Sequence, residues 1–211
     1  MDPKQHWEKV YQTKAPNGVS WYKPHLKVSL AWISEFAAPE DSEIIDIGGG
    51  ASTLVDDLLN GNYRGIRVLD ISGQALKTAK ERLGPRADTV TWVEGDITQI
   101  ELPVRLFDVW HDRAVFHFLT KPDEREKYVL RLNQSLKPDG TVIIGAFSLK
   151  GPERCSGLDI VRYSPEALQE ELGEEYGLIK TLEESHETPF GTRQEFVYCA
   201  FKRQKGKPAD N

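Results

Sequence analysis

From residue 40 onward, short apolar runs alternate with stretches of helical periodicity, and this alternation constrains the fold more than any other feature of the chain. Apolar runs occupy 43–47, 66–70, 90–93, 106–110 and 141–147. Between them, Leu54, Val55, Leu58 and Leu59 share one helical face, as do Ala75, Leu76, Ala79 and Leu83. Pro122 with Asp123, Glu124 and Glu126 opens a third helix, because acidic side chains suit the positive end of the helix dipole. A fourth, short helix begins at Ser164-Pro165-Glu166. Strands separated by helices pair in parallel as βαβ units. The last two runs, 178–184 and 194–201, flank a stretch with Pro189 and Gly191 and read as an antiparallel hairpin. The expectation is an α/β protein: a doubly wound, mostly parallel sheet with a C-terminal antiparallel hairpin.

A chain of 211 residues suits one such domain. Residues 1–40 differ from the rest, carrying Trp7, Tyr11, Trp21, Tyr22, Trp32 and Phe36, and read as a helical, aromatic lid packed on a core of 41–203. Residues 204–211, with basic neighbours and an interleaved Gly206-Pro208, read as a flexible tail. A net charge of −6 argues against nucleic acid as a partner. No apolar run approaches the roughly 20 residues that span a bilayer, so no membrane is expected either. Cys155 and Cys199 are too few for a disulfide scaffold and have no metal-ligand spacing, and the first residues lack the apolar stretch of a signal peptide. A cytoplasmic location is the default; the sequence leaves the oligomeric state open.

The most informative stretch is Asp46-Ile47-Gly48-Gly49-Gly50-Ala51-Ser52. Glycines directly after a strand let the backbone turn tightly and approach a ligand without Cβ clashes. Asp70 ends the next run, and a carboxylate roughly 20 residues past such a loop can accept hydrogen bonds from both ribose hydroxyls of an adenosine. Asp96 follows the third run. Three acids at successive strand ends converge on one edge of a parallel sheet, where ligands of such folds bind. A dinucleotide fingerprint needs a glycine or alanine where this chain has Thr53, so an NAD-dependent oxidoreductase fits less well.

These residues resemble the seven-stranded, Rossmann-like class I S-adenosylmethionine-dependent methyltransferases over roughly residues 40–203. The resemblance implies that S-adenosyl-L-methionine is bound by Asp46, Gly48, Gly49, Gly50, Ser52, Asp70, Ile71, Gly95, Asp96, Ile97 and His111. Ser52 departs from the glycine many members carry there. The N-terminal His6-Trp7-Glu8-Lys9-Val10-Tyr11 and Val19-Ser20-Trp21-Tyr22 are similar to the lead segment of elongation-factor and citrate-synthase lysine methyltransferases. No metal is implied.

Methyl transfer from a sulfonium is an in-line displacement, and an acceptor bearing a proton must lose it. Residues 111–113 follow the fourth run, where the family places groups beside the methyl. His111 and Asp112, with His117 six positions beyond His111, are therefore the candidate catalytic residues, with the structural alternatives that His111 caps a strand, Asp112 pairs with Arg113 and His117 is a core histidine. Trp21, Tyr22, Arg113 and Arg154 are candidate substrate residues, the last from a loop at 151–157. The acceptor is expected to be a small molecule or a protein side chain such as lysine. The competing reading is a catalytically inactive module that keeps the fold to bind the cofactor or a partner.

Overall fold

A computed structural model describes residues 2–204. The chain begins with α1 (Pro3–Thr13) and α2 (Lys27–Phe36), then alternates through β1 (Glu43–Ile47), α3 (Leu54–Asn60), β2 (Gly65–Asp70), α4 (Gly73–Leu83), β3 (Thr91–Glu94), β4 (Phe107–Arg113), α5 (Pro122–Ser135) and β5 (Leu136–Phe147). A two-stranded excursion of β6 (Arg154–Cys155) and β7 (Leu158–Asp159) precedes α6 (Pro165–Leu172). The closing hairpin is β8 (Tyr176–Glu187) and β9 (Arg193–Arg203). The sheet has seven strands in the order β3-β2-β1-β4-β5-β9-β8, parallel through β5 and antiparallel from β5 to β9 and β8.

Side chains alternate across each strand, so the sheet divides the apolar residues into two layers. Ile44, Val68 and Val109 pack with Trp32 and Ile33 of α2, Leu54 and Leu58 of α3, and Leu76 and Leu83 of α4. Ile45, Leu69, Trp110 and Ile144 pack on the other face with Tyr128 and Leu132 of α5 and Leu168 and Leu172 of α6. The α4 stripe read from the sequence is buried throughout, and of the α3 stripe Leu54, Val55 and Leu58 are buried while Leu59 is half-buried. Ser72 caps α4 by accepting a bond from the Ala75 N–H at 3.1 Å.

Three expectations change. First, residues 1–40 are not one lid: α2 belongs to the core layer, with Trp32 and Ile33 buried, and only α1 with the following loop roofs the sheet edge. Secondly, His111, Asp112 and Arg113 lie within β4 rather than after it. They pair in register with Asp46 and Ile47 on one side and Ile143, Ile144 and Gly145 on the other, so three polar residues continue a central strand whose apolar run had ended. Thirdly, the loop at 151–157 contains the start of the β6–β7 hairpin. The expected tail, beyond residue 204, lies outside the described residues.

Candidate functional site

A cavity of about 400 Å³ opens over the carboxyl ends of β1, β2, β3 and β4. Gly48 and Ile47 come to it from β1, Leu69 and Asp70 from β2, Gly95 and Asp96 from the turn after β3, and Arg113 and Ala114 from the end of β4. A chamber of about 50 Å³ shares Tyr11, Trp21, Gly48 and Arg113 with it and extends over Asp46, Gly49, Ser52 and His111. Parallel strands end on one edge, which is why residues so far apart in sequence meet there.

The glycine loop works through space as much as through turn geometry. Gly48 has φ +67° and Gly50 φ +23°, a backbone region in which side chains are strained. A Cβ on Gly48 would run into the Val115 side chain, and one on Gly50 into Asp70 Oδ2. The Gly48 and Gly49 N–H groups donate to the Leu69 carbonyl at 2.7 and 3.2 Å, tying the loop to the end of β2.

Asp70 is buried, and its Oδ1 accepts the Ser72 N–H at 2.8 Å. Burial pushes its carboxyl up to about 7, aided by the nearby Asp46 and Glu8 and opposed by the Ser72 bond. Asp96 is engaged by its own turn: Oδ1 accepts the Thr98 N–H and Oγ–H at 2.8 Å each, and Oδ2 accepts from Gln99 at 3.0 Å. Its side chain thus shapes the loop that lines the cavity with Gly95, Ile97 and Thr98.

Asp46 and His111 form a buried pair below the small chamber. His111 Nδ1 is 2.7 Å from Asp46 Oδ1, and Nε2 is 2.9 Å from Ser29 Oγ of α2. Both ring nitrogens are thereby engaged, so His111 braces β4 against β1 and α2.

Asp112 points to the opposite face of the sheet. It is fully buried, accepts from the Val115 N–H at 3.0 Å, the Phe116 N–H at 3.1 Å and the Tyr128 hydroxyl at 2.8 Å, and borders neither cavity. Burial raises its carboxyl to about 6. The expectation that Asp112 orients or deprotonates an acceptor is corrected by this placement: alternation along β4 sends residues 111 and 113 to one face and 112 to the other. His117 is also fully buried, its ring 4.6 Å from those of Phe118 and Phe147, with Nδ1 accepting the Phe147 N–H at 3.3 Å. Burial, with help from Arg113, pushes its pKa down to about 3, and it too borders neither cavity, which argues against general-base work.

Of the expected substrate residues, Trp21 and Arg113 border both spaces and Tyr22 the small one. Arg154 does not reach either; it donates to the Gly157 carbonyl and pairs with Asp159 at 3.0 Å on the exposed hairpin.

Sequence reasoning read Trp7, Tyr11 and Trp21 as part of an aromatic lid but assigned none of the α1 residues to the site. Pro3, His6, Trp7 and Tyr11 line the cavity from one face of α1, at positions i, i+3, i+4 and i+8, a helical signal that was present in the sequence. Glu8 holds this helix down: its carboxylate accepts the Ser72 hydroxyl at 3.1 Å and the Gly73 and Gln74 N–H groups at 2.7 and 3.1 Å, filling the N-terminus of α4. Trp7 packs edge-on against Trp21 and Phe118. Phe147 and Phe196 close the far wall beside Cys155, a thiol that burial pushes up to about 11.

Comparison with known proteins follows this geometry. A family described as "Methyltransferase domain" matches residues 45–144. The mouse "eEF1A lysine and N-terminal methyltransferase" is 28% identical over 138 residues, covering 65% of this chain and 19% of the relative. The chain therefore spans about a fifth of the length of that relative. The mouse "EEF1A lysine methyltransferase 2" is 21% identical over 158 residues, 68% of this chain and 65% of the relative. Among solved structures, an S-adenosylmethionine-dependent methyltransferase from Anabaena variabilis superposes with a TM-score of 0.73 at 16% identity, covering 95% of this chain and 93% of that one. The Burkholderia thailandensis 1,6-didemethyltoxoflavin-N1-methyltransferase, with bound 1,6-didemethyltoxoflavin and S-adenosylhomocysteine, superposes with a TM-score of 0.68 at 17% identity, covering 96% and 84%.

Proposed function

We infer, from the premise that this chain belongs to the S-adenosylmethionine-dependent methyltransferases, that it transfers a methyl group to a nucleophile held under α1, on a small molecule or on a side chain such as lysine. The observation that carries the reading is the convergence of Asp70, the Gly48–Gly50 turn and the 95–97 turn on one cavity with an aromatic roof. The residues fit the cofactor: a methyl on Gly50 would dislodge Asp70, and one on Gly48 would run into Val115 at the cavity wall.

The bound cofactor supplies a methyl carbon on a sulfonium, already activated for displacement. The chain supplies position. Asp70, as carboxylate, would accept two hydroxyl hydrogen bonds from the ribose, and the Gly48–Ser52 loop would bring backbone close to the amino-acid end. The turn at Gly95–Ile97 would border the base. Trp7, Tyr11 and Trp21 exclude water above the reacting atoms, which strengthens every polar contact beneath them. Asp46, His111 and Asp112 act as positioning residues: they fix β1 against β4 and set the turn that carries Ala114 and Val115 into the site.

A small acceptor suits the roof better than a protein surface, because α1 is latched across the cleft by Glu8. A cytoplasmic site of action agrees with two free, buried cysteines, and no helix among the described residues is long and apolar enough to cross a membrane. The test is transfer of isotopic methyl from S-adenosylmethionine into a desalted cell extract, split by size afterwards. Label in the small-molecule fraction, absent with Asp70→Ala, is the expected result. Label confined to macromolecules transfers the reading to a protein acceptor; no label in either fraction removes it.

A further inference from the structure

A wall of the cavity carries a cation that makes no ion pair among the described residues. Arg113 leaves the end of β4 with its Nε donating to the Tyr198 hydroxyl at 2.9 Å and its Nη1 to the Trp21 carbonyl at 3.1 Å. Its guanidinium lies 4.6 Å over the Phe196 ring. All three partners are neutral, and the ion pairs among the described residues include none with Arg113. Its Nη2 is buried and has no partner at all. Buried cations are ordinarily paired, and a guanidinium presents five donors in a planar fork suited to carboxylate-like groups.

The nearby acids form their ion pairs elsewhere: the half-buried Glu184 of β8, which acts electrostatically on the same Tyr198, is paired with Lys23. Glu124 is bound to Lys121 at 3.0 Å, and Asp159 to Arg154 at 3.0 Å on the exposed hairpin. Asp70 and Asp96 lie at the end assigned to the cofactor. The remaining walls here are Trp7, Phe118, Phe147 and Phe196, with the Cys155 thiol. Aromatic walls stack a planar body, and their negative faces taken alone would favour a cation. Arg113 decides the sign, since a lysine ammonium placed beside its unpartnered Nη2 would meet repulsion there, whereas a carboxylate would take up the free donor.

Resting on the methyl-transfer reading above, we propose that the acceptor is a small, planar, anionic molecule whose charged group is held by Arg113. Its apolar body lies between the α1 roof and Phe147, and Arg113 acts as its specificity-determining anchor.

The test uses the whole chain saturated with S-adenosylhomocysteine and three isosteric probes titrated by calorimetry: 2-naphthoate, 2-naphthamide and 2-naphthylmethylamine. The expected order is naphthoate tightest, by about tenfold over the amide, with the ammonium weakest. Arg113→Met should bring naphthoate to within about threefold of the amide, and Arg113→Lys should keep part of the preference, as a point charge without the fork. The proposal is overturned if the ammonium binds as well as the carboxylate, if Arg113→Met leaves naphthoate unchanged, or if none of the probes binds. Titration of S-adenosylhomocysteine into the same wild-type sample separates the two levels. Failure there removes the methyl-transfer reading, whereas cofactor binding without an anion preference removes only this proposal and leaves Arg113 to the cofactor's own carboxylate.

Discussion

Lowering the pH from 8 to 6 should weaken cofactor binding about tenfold, because Asp70 must be ionised to accept two ribose hydroxyls. The ligand-free carboxyl sits at about 7, raised chiefly by burial beneath α1. Glu8 from α1 and Asp46 from β1 face it with like charge, and the Ser72 N–H favours its ionised form. At pH 8 about nine-tenths of the protein holds the carboxylate; at pH 6 about one-tenth does, so the apparent affinity falls by close to tenfold, ~1.4 kcal/mol. The sign follows from linkage: a ligand that prefers the carboxylate releases a proton on binding below the free-protein pKa. Calorimetric titration of S-adenosylhomocysteine at pH 6, 7 and 8, in two buffers of different ionisation enthalpy, reads both affinity and proton release. Asp70→Asn should bind weakly with no pH dependence in this window. A wild-type affinity that is flat from pH 6 to 8, with no proton released, would refute the argument. The same raised pKa makes the ligand-free fold lose this group's contribution as pH rises from about 4 to about 7, so ligand should stabilise most at the alkaline end.

Other perturbations have equally definite outcomes. Gly50→Ala puts a methyl onto Asp70 Oδ2 and 2.9 Å from the Ala75 Cβ; cofactor affinity measured by the same titration should drop at least ~10-fold by loss of one charge-assisted contact, and an unchanged value would contradict the cradle. Asp112→Ala strands a hydroxyl and two backbone N–H groups in the core, which should cost about 3 kcal/mol and lower the melting temperature by roughly 6–12 °C; a melt within a degree of wild type would show that the bonds carry no weight. Glu8→Ala removes three bonds at the N-terminus of α4, so limited proteolysis should cut after α1 faster and cofactor should dissociate several-fold faster, whereas an unaltered digestion pattern speaks against the latch. His117 is held neutral down to about 3, so acidification from neutrality charges it in the unfolded chain first. His117→Phe should spare about 2 kcal/mol of the stability lost by pH 5, measured as the difference between denaturant curves of the two proteins.

Much of the architecture was legible because the signals were strong and local. The apolar runs at 43–47 and 66–70 became β1 and β2, and the stripe of Ala75, Leu76, Ala79 and Leu83 became the buried face of α4. The glycine loop marked the cofactor edge because only a backbone without Cβ fits beside Asp70 and Val115. The end of β4 was misread because hydrophobicity ceases at Trp110 while strand pairing continues to Arg113. A polar strand end is stabilised by partners that sequence does not name: Asp46 and Ser29 for His111, Tyr128 for Asp112, Tyr198 for Arg113. The orientation of those side chains, and hence their separation onto two faces, follows from the register against β1 and β5. The latch that holds α1 was likewise hidden, since Glu8 finds the α4 N-terminus only once βα topology has brought residues 8 and 73 together.

The most direct measurement is the melting temperature of the purified chain with saturating S-adenosylhomocysteine, compared with saturating NAD. A ligand at ~100 times its dissociation constant adds about 2.7 kcal/mol to the folded state, or roughly 5–10 °C for a domain of this size. The account predicts that shift with S-adenosylhomocysteine, its loss in Asp70→Ala, and none with NAD. A shift with NAD and none with S-adenosylhomocysteine would contradict the assignment of the cleft.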